Sequence, residues 1–123
     1  MIRGTLTGSL VAVVKLRLRG PTGIELDLDA VVDTGFNASL TLPDPITSTL
    51  GLVRRSRGEA VLADGTVRHF GTYAAEVEWG GHWLPITASA VGDEVLLGMR
   101  LLAGHRLRID VVPGGLVEIT PLP

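Results

Sequence analysis

Apolar residues fall on every second position through much of the first thirty residues. Leu16 and Leu18 alternate with Lys15, Arg17 and Arg19. Beyond Gly20-Pro21-Thr22-Gly23, the residues Ile24, Leu26 and Leu28 alternate with Glu25, Asp27 and Asp29. Period-two alternation on both sides of a Gly/Pro turn predicts a β-hairpin. One strand's outer face is basic and the other's acidic, so opposite charges can meet across the strands. That meeting requires an odd-length loop, because an even one would set each charge opposite a leucine. Taken alone, these charges read as a solvated face. The wholly apolar run Ala30 to Val32 then predicts a strand buried on both sides and ending at Asp33.

The same reading carries through the rest of the chain. "ASLTLP", Ala38 to Pro43, predicts a second short strand. Asp44-Pro45 reads as an N-cap followed by proline at the first helical position, opening a short helix that ends near Gly51. Glu59 to Trp79 reads as a long hairpin with Asp64-Gly65 at its tip, and Gly80-Gly81 as a further turn. Val95 to Leu97 is an apolar strand running into Gly98 and a short helical stretch that ends at Gly104. "HRLRIDVV", Pro113-Gly114-Gly115 and "LVEIT" make a closing hairpin. The chain thus shows two similar halves, each with strands, an apolar strand ending in a tight loop, and a short helix. The first half has Asp33-Thr34-Gly35 at its loop; the second has Leu97-Gly98 and no carboxylate. No linker or low-complexity stretch interrupts them, so residues 1–123 read as a single domain built on an imperfect duplication.

Composition narrows the classes. A length of 123 residues suffices for one modest core. With 46% hydrophobic residues, rich in Val and Leu, the chain reads as folded and all-β rather than disordered. A net charge of −2 with acids and bases intermixed argues against a nucleic-acid partner, which would call for a strongly basic face. The absence of cysteine rules out disulfides, thiolate metal sites and a thiol nucleophile. His69, His82 and His105 are widely spaced and show no ligand pattern, so neither a metal nor a cofactor is expected. No serine sits in a Gly-x-Ser-x-Gly context. Pro113-Gly114-Gly115 lacks the Lys-Ser/Thr of a phosphate loop and reads as a turn. Trp79 and Trp83 flank the Gly80-Gly81 turn, in the core or on a dimer surface. No segment approaches the roughly 20 apolar residues of a membrane span. The N-terminal stretch lacks the long apolar region and cleavage site of a secretory signal. A soluble cytoplasmic protein with no membrane partner is expected.

The stretch "VVDTGFNASLTLP", Val31 to Pro43, carries the candidate chemistry. A carboxylate at the end of an apolar strand is costly unless it is paired or used. The simplest role for Asp33 is an Asx turn at a strand end. A tripeptide such as Asp-Thr-Gly arises by chance in roughly a few per cent of chains this size, so its surroundings decide its meaning. Those surroundings are "VVDTG" with "LTLP" after it, the glycine-tipped hairpin "LADGTV", and "VLLGMRLLAGHRLRID" near the end, in that order. In this order and over nearly its whole length, the sequence resembles the retropepsin-like aspartic proteases, in particular their short bacterial members.

The resemblance implies a closed β-barrel with one or two short helices, working as a homodimer. It implies an aspartic endopeptidase that hydrolyses extended peptides through a water activated by two Asp33 carboxylates, one from each subunit and sharing one proton. By the same resemblance Thr34 braces the pair through a hydrogen bond to the other subunit's loop, and Gly35 permits the tight turn. Ala63, Asp64, Gly65 and Thr66 form a flap that binds the peptide main chain by strand addition. Gly98 lets the second-half loop pass close to the helix. The terminal strands, near Met1 to Leu6 or Val117 to Leu122, interleave between subunits. The chain departs from the family at two places. Phe36 stands where retroviral members usually have Ala or Ser, and its ring is expected to shape a subsite or narrow the cleft. Met99-Arg100 stands where Arg-Asn or Met-Asp is frequent. Few polar residues surround the cleft in the sequence, so apolar subsites are expected. Two other readings stand beside the protease: a non-catalytic dimeric module that binds an extended peptide segment, and a plain β-barrel scaffold in which Asp33 caps a loop.

Overall fold

Charge alternation sets the first hairpin. In the computed structural model, which describes all of residues 1–123, β2 (Ala12–Arg19) pairs antiparallel with β3 (Glu25–Val32). Lys15 faces Asp29, Arg17 faces Asp27 and Arg19 faces Glu25 across the strands. The loop between them, Gly20 to Ile24, is odd in length, as charge-to-charge pairing requires. Arg17 Nε donates to Asp27 Oδ1 at 2.8 Å, and this hydrogen bond holds the Asp27 carboxyl below its usual range. Both side chains are solvated, so the pair contributes register more than stability. The alternate positions Val14, Leu16 and Leu18 point inward and are almost fully buried.

β3 is one continuous strand that includes Ala30 to Val32. The expectation of burial on both sides holds at Ala30 alone, since Val31 and Val32 are only half-buried. Their partner is β8 (Leu96–Leu97), which lies parallel to the end of β3. β4 (Leu40–Thr41) pairs antiparallel with β8 and parallel with β7 (His82–Ser89). α1 spans Asp44–Thr49, and its N-cap is Pro43 rather than Asp44. Asp44 already has helical geometry, so its side chain caps nothing and Pro45 stands one position deeper than expected. Gly51, at φ +63°, ends the turn that follows.

β5 (Val53–Val61) and β6 (Val67–Trp79) form the long hairpin, and β6 continues through the Gly80-Gly81 turn into β7. α2 spans Met99–Leu102; β9 (His105–Ile109) and β10 (Leu116–Pro121) follow. All ten strands join one sheet, in the order β5-β6-β7-β4-β8-β3-β2-β1-β10-β9, with β1 spanning Ile2–Leu6. A further pairing, Leu18 with Val77 and Arg19 with Glu76, links β2 back to β6. Arg19 reinforces it through an ion pair with Glu76 at 3.1 Å and by lying 4.2 Å from the centre of the Trp83 ring. Trp79 is buried in the core, which also gathers Leu40, Leu42, Leu97, Leu101, Leu102, Val117 and Ile119. No helix is long and apolar enough to cross a membrane.

The terminal strands pair with each other within the chain. β1 is hydrogen-bonded on both sides, to β2 and to β10, and β10 on both sides, to β1 and β9. Both edges are taken at Gly4 and Thr5 of β1 and at Val117 to Ile119 of β10, which leaves those stretches no backbone donors or acceptors for another chain. The outer strands of the sheet are β5 and β9.

Leu97 joins β3 to β4 at the centre of the sheet and is fully buried. Leu97→Ala is expected to cost about 2–5 kcal/mol, read by denaturant unfolding. A loss under about 1 kcal/mol would contradict this placement.

Candidate active site

Asp33 lies one residue beyond the paired end of β3. Its amide donates to the Leu97 carbonyl at 2.9 Å, as the Val31 amide does to Val95 at 2.8 Å. The parallel ladder therefore holds Asp33 rigidly at the backbone while the chain turns away. Asp33 Oδ1 accepts from the Gly35 amide at 2.9 Å, which is the expected Asx turn, and the Phe36 amide closes on the Asp33 carbonyl at 3.2 Å. A Cβ on Gly35 would lie 3.3 Å from Oδ1, so the tight turn suits glycine. Asp33 itself is half-buried rather than enclosed, and Thr34 is exposed with its hydroxyl unbonded within the chain. Together they line a cleft of about 390 Å³ in which eight of ten lining residues are hydrophobic, including Leu10, Val11, Val32 and Val111.

The loop after Asp33 is strapped to the start of α2. Gly98 donates to Ser39, Met99 to Phe36 at 2.7 Å, and Arg100 to Ala38, each through backbone atoms. The first amides of a helix lack intrahelical partners, and here the loop carbonyls supply them. A Cβ on Gly98 would stand 2.0 Å from the Ala38 oxygen and 2.5 Å from Cδ2 of Phe36. The close approach made possible by Gly98 is therefore to this loop rather than to a helix. The Phe36 ring is half-buried and lies against Gly98. Because the straps are backbone bonds and the Met99 and Arg100 side chains are exposed, the unusual Met-Arg pair leaves them intact.

The internal duplication is visible in the strand register. Val31 and Val32 pair with Leu96 and Leu97, just as Ala88 and Ser89 pair with Leu40 and Thr41, both in parallel. This exchange relates β3 to β7 and β4 to β8. The counterpart of Asp33-Thr34-Gly35 is therefore Ala90-Val91-Gly92, and not Leu97-Gly98 as the sequence pattern suggested. It carries no carboxylate, and no three His, Asp or Glu side chains gather as around a metal ion.

The hairpin tip stands apart from this cluster. Ala63, Asp64, Gly65 and Thr66 form the turn between β5 and β6, and none of them lines the Asp33 cleft. Gly65 has φ +84°, and its amide donates to Leu62. Asp64 Oδ1 accepts from the Thr66 hydroxyl at 2.6 Å and the Thr66 amide at 2.9 Å, and these bonds hold the Asp64 carboxyl below its usual 3.8. His105 has a structural role: its Nε2 accepts from Trp79 Nε1 at 3.2 Å, leaving Nδ1 to donate to Ala103. Residues that pattern reasoning passed over include Leu10, Val111 and Val112, which are large, apolar and exposed. Their signal was present: aliphatic side chains beside turns, where polar residues are usual.

Gly98→Ala is expected to lower stability by about 1–3 kcal/mol or more, since only backbone movement can relieve the overlap. An unfolding midpoint equal to wild type would contradict the strap. The depressed carboxyl of Asp64 stabilises the tip when ionised, fully above the ordinary aspartate value of 3.8 and decreasingly as pH falls through its lower folded value. Exchange of the Thr66 amide is expected to speed up, relative to other tip amides, across that acid window. Asp64→Asn should flatten this response, and an unchanged response in the variant would assign it elsewhere.

No protein-family model matches the chain, and no curated protein matches it in sequence.

Proposed function

We propose that the protein is a homodimeric aspartic endopeptidase of the retropepsin-like kind, cleaving extended peptides with two Asp33 carboxylates, one from each subunit. The observation that carries this reading is the placement of Asp33. It sits on a turn clamped by a parallel ladder and by α2, its carboxylate reaches solvent, and the matching loop Ala90-Val91-Gly92 offers no second acid. Chemistry that needs two carboxylates must then take the other from a second chain. The succession of pairings β6-β7-β4-β8-β3-β2 and back to β6 supports a closed barrel. The Phe36 ring, turned onto Gly98, favours catalysis over a peptide-binding module whose cleft that ring would fill.

The apolar surface around Asp33 supports the dimer. Leu10, Val111 and Val112 are 53%, 67% and 57% exposed, and Leu10 and Val111 share the cleft of Asp33 and Thr34. Leu10 also holds φ +64°, a left-handed geometry costly for a leucine. The turn is kept by Leu10 donating to the Thr7 carbonyl at 3.0 Å and Val11 to Thr7 Oγ1 at 3.1 Å. A second copy across a twofold axis would cover this surface and bring the two Asp33 side chains together, with Thr34 reaching the facing loop. In the reaction, the ionised carboxylate takes a proton from water, and the hydroxide adds to the peptide carbon. The protonated carboxyl donates to the carbonyl oxygen; collapse of the adduct then breaks the C–N bond as the first carboxyl passes its proton to the leaving nitrogen and the second takes one back from the adduct's hydroxyl.

Cleavage by the purified protein, followed by mass spectrometry, is expected to fall by roughly 10²–10⁴-fold in Asp33→Asn at matched concentration. The pH profile should be bell-shaped with its optimum on the acid side of neutrality. Equal cleavage by both proteins would defeat the reading, and a folded dimer that cuts nothing would favour the peptide-binding module. Leu10→Asp combined with Val111→Asp should give a folded monomer in sedimentation equilibrium, whereas an unchanged dimer would place the interface elsewhere.

A further inference from the structure

Five of the eleven lysines and arginines take part in ion pairs: Arg3, Lys15, Arg17, Arg19 and Arg108. Of the six that do not, Arg54, Arg55, Arg57 and Arg68 lie on the one β5–β6 hairpin, and all four are exposed. Over the stretch where β5 and β6 pair, Val53 to Ala74, the only acids are Glu59 and Asp64, giving this segment a net +2 in a chain whose total is −2; Glu76 and Glu78 lie further along β6, where Glu76 pairs with Arg19. Glu59 is directed to His69, at 3.4 Å, and Asp64 to Thr66. Like charges gathered on one hairpin repel each other in the free protein, and an anionic ligand would relieve that repulsion.

Register brings two of these cations onto one face. Arg54 lies opposite Tyr73 and Arg57 opposite Gly71, so both arginines share a face with Tyr73 and His69. The Tyr73 ring covers Gly71, where a Cβ would stand 2.9 Å from Cε1. Arg54, Arg57, Arg68, His69, Phe70 and Tyr73 line a cleft of about 420 Å³, completed by the Ala90–Gly92 loop, with Asp44 as its one acidic lining residue. The cleft thus combines guanidinium forks, which suit carboxylates, with aromatic rings that can pack against the stem of a glutamate.

We propose that this cleft binds acidic side chains of a peptide, so that substrates carry Glu or Asp outside the residues that span the scissile bond. This rests on the protease reading for the word substrate; the binding site itself does not. An acidic peptide fits better than a nucleic acid, because the patch is small and the whole chain is acidic. β5 is also an outer strand of the sheet, free to add an extended peptide alongside the cleft. The apolar preference expected at the scissile bond remains compatible, since the Asp33 cleft and the basic cleft are lined by different residues.

The test uses catalytically silenced Asp33→Asn protein and fluorescence anisotropy with three labelled peptides of equal length. They share an apolar centre and carry Glu, Gln or Lys in the flanks. The Glu peptide is expected to bind roughly tenfold more tightly than the Gln peptide at low ionic strength, with the advantage shrinking as salt is raised. Arg54→Glu combined with Arg57→Glu should abolish the preference, while Arg106→Glu, at another unpaired arginine, should leave it. Circular dichroism and thermal melts check that each variant is folded. Equal binding of the Glu and Gln peptides, or a preference surviving the double reversal, would overturn the proposal. So would a single-stranded oligonucleotide binding more tightly than the Glu peptide at the same salt. A wild-type protein that cleaves nothing would sink the protease reading and leave this binding result to stand or fall separately.

Discussion

The bond from the Asp33 amide to the Leu97 carbonyl is the constraint on which the site depends. It ends a parallel ladder that joins the two halves of the chain, β3 of the first to β8 of the second. From that point the loop through Ser39 must turn back to enter β4, which pairs with β8 on its other side. The loop is thus enclosed between two strands and the start of α2. Its carbonyls take the amides of Gly98, Met99 and Arg100, and a glycine is needed at 98 because the Ala38 oxygen occupies the space of a Cβ. A carboxylate on such a loop has a fixed position without being buried. Fixed geometry is what general acid–base chemistry requires of a catalytic group.

The duplication leaves the chain with one such carboxylate where the fold builds the loop twice. The exchange that carries β3 onto β7 brings Ala90-Val91-Gly92 to the position of Asp33-Thr34-Gly35. The fold repeats the loop but not the acid. The middles of β1 and β10 are meanwhile paired on both sides, and the aliphatic turns around Leu10 and Val111 offer a surface by which a second copy would complete the proposed site. In the proposed reading, the basic cleft at the hairpin would add a second element of recognition, with charge placed away from the Asp33 cleft.

Much of the fold was legible in the sequence because local patterns agreed with one another. The Lys15–Arg19 and Glu25–Asp29 alternation fixed both the hairpin and the parity of its loop. Asp64-Gly65 and Gly80-Gly81 marked their turns through residues suited to positive φ. The misreadings arose where long-range pairing decides. Val31 and Val32 look like a doubly buried strand, yet a two-residue partner covers only part of them. Leu97-Gly98 looks like the second-half loop because glycine draws the eye, whereas the register assigns that role to Ala90–Gly92. Asp44 looks like a cap, but Pro43 already supplies the turn into the helix. For the site, the Asp33–Gly35 turn and Gly98 were visible as motifs. The basic cleft was not, because Arg54 and Arg57 come to one face only through strand pairing and the irregularity at Arg55.

The central claim, one active site made by two chains, is tested most directly by mixing. Wild type and Asp33→Asn are unfolded together, refolded at a fixed total concentration, and assayed for peptide cleavage across the mixing ratio. With one Asp33 drawn from each subunit, activity should follow the square of the wild-type fraction, so an equal mixture keeps about one quarter of the full rate. A linear decline, with about half the rate in the equal mixture, would mean that each chain carries its own complete site and would contradict the account.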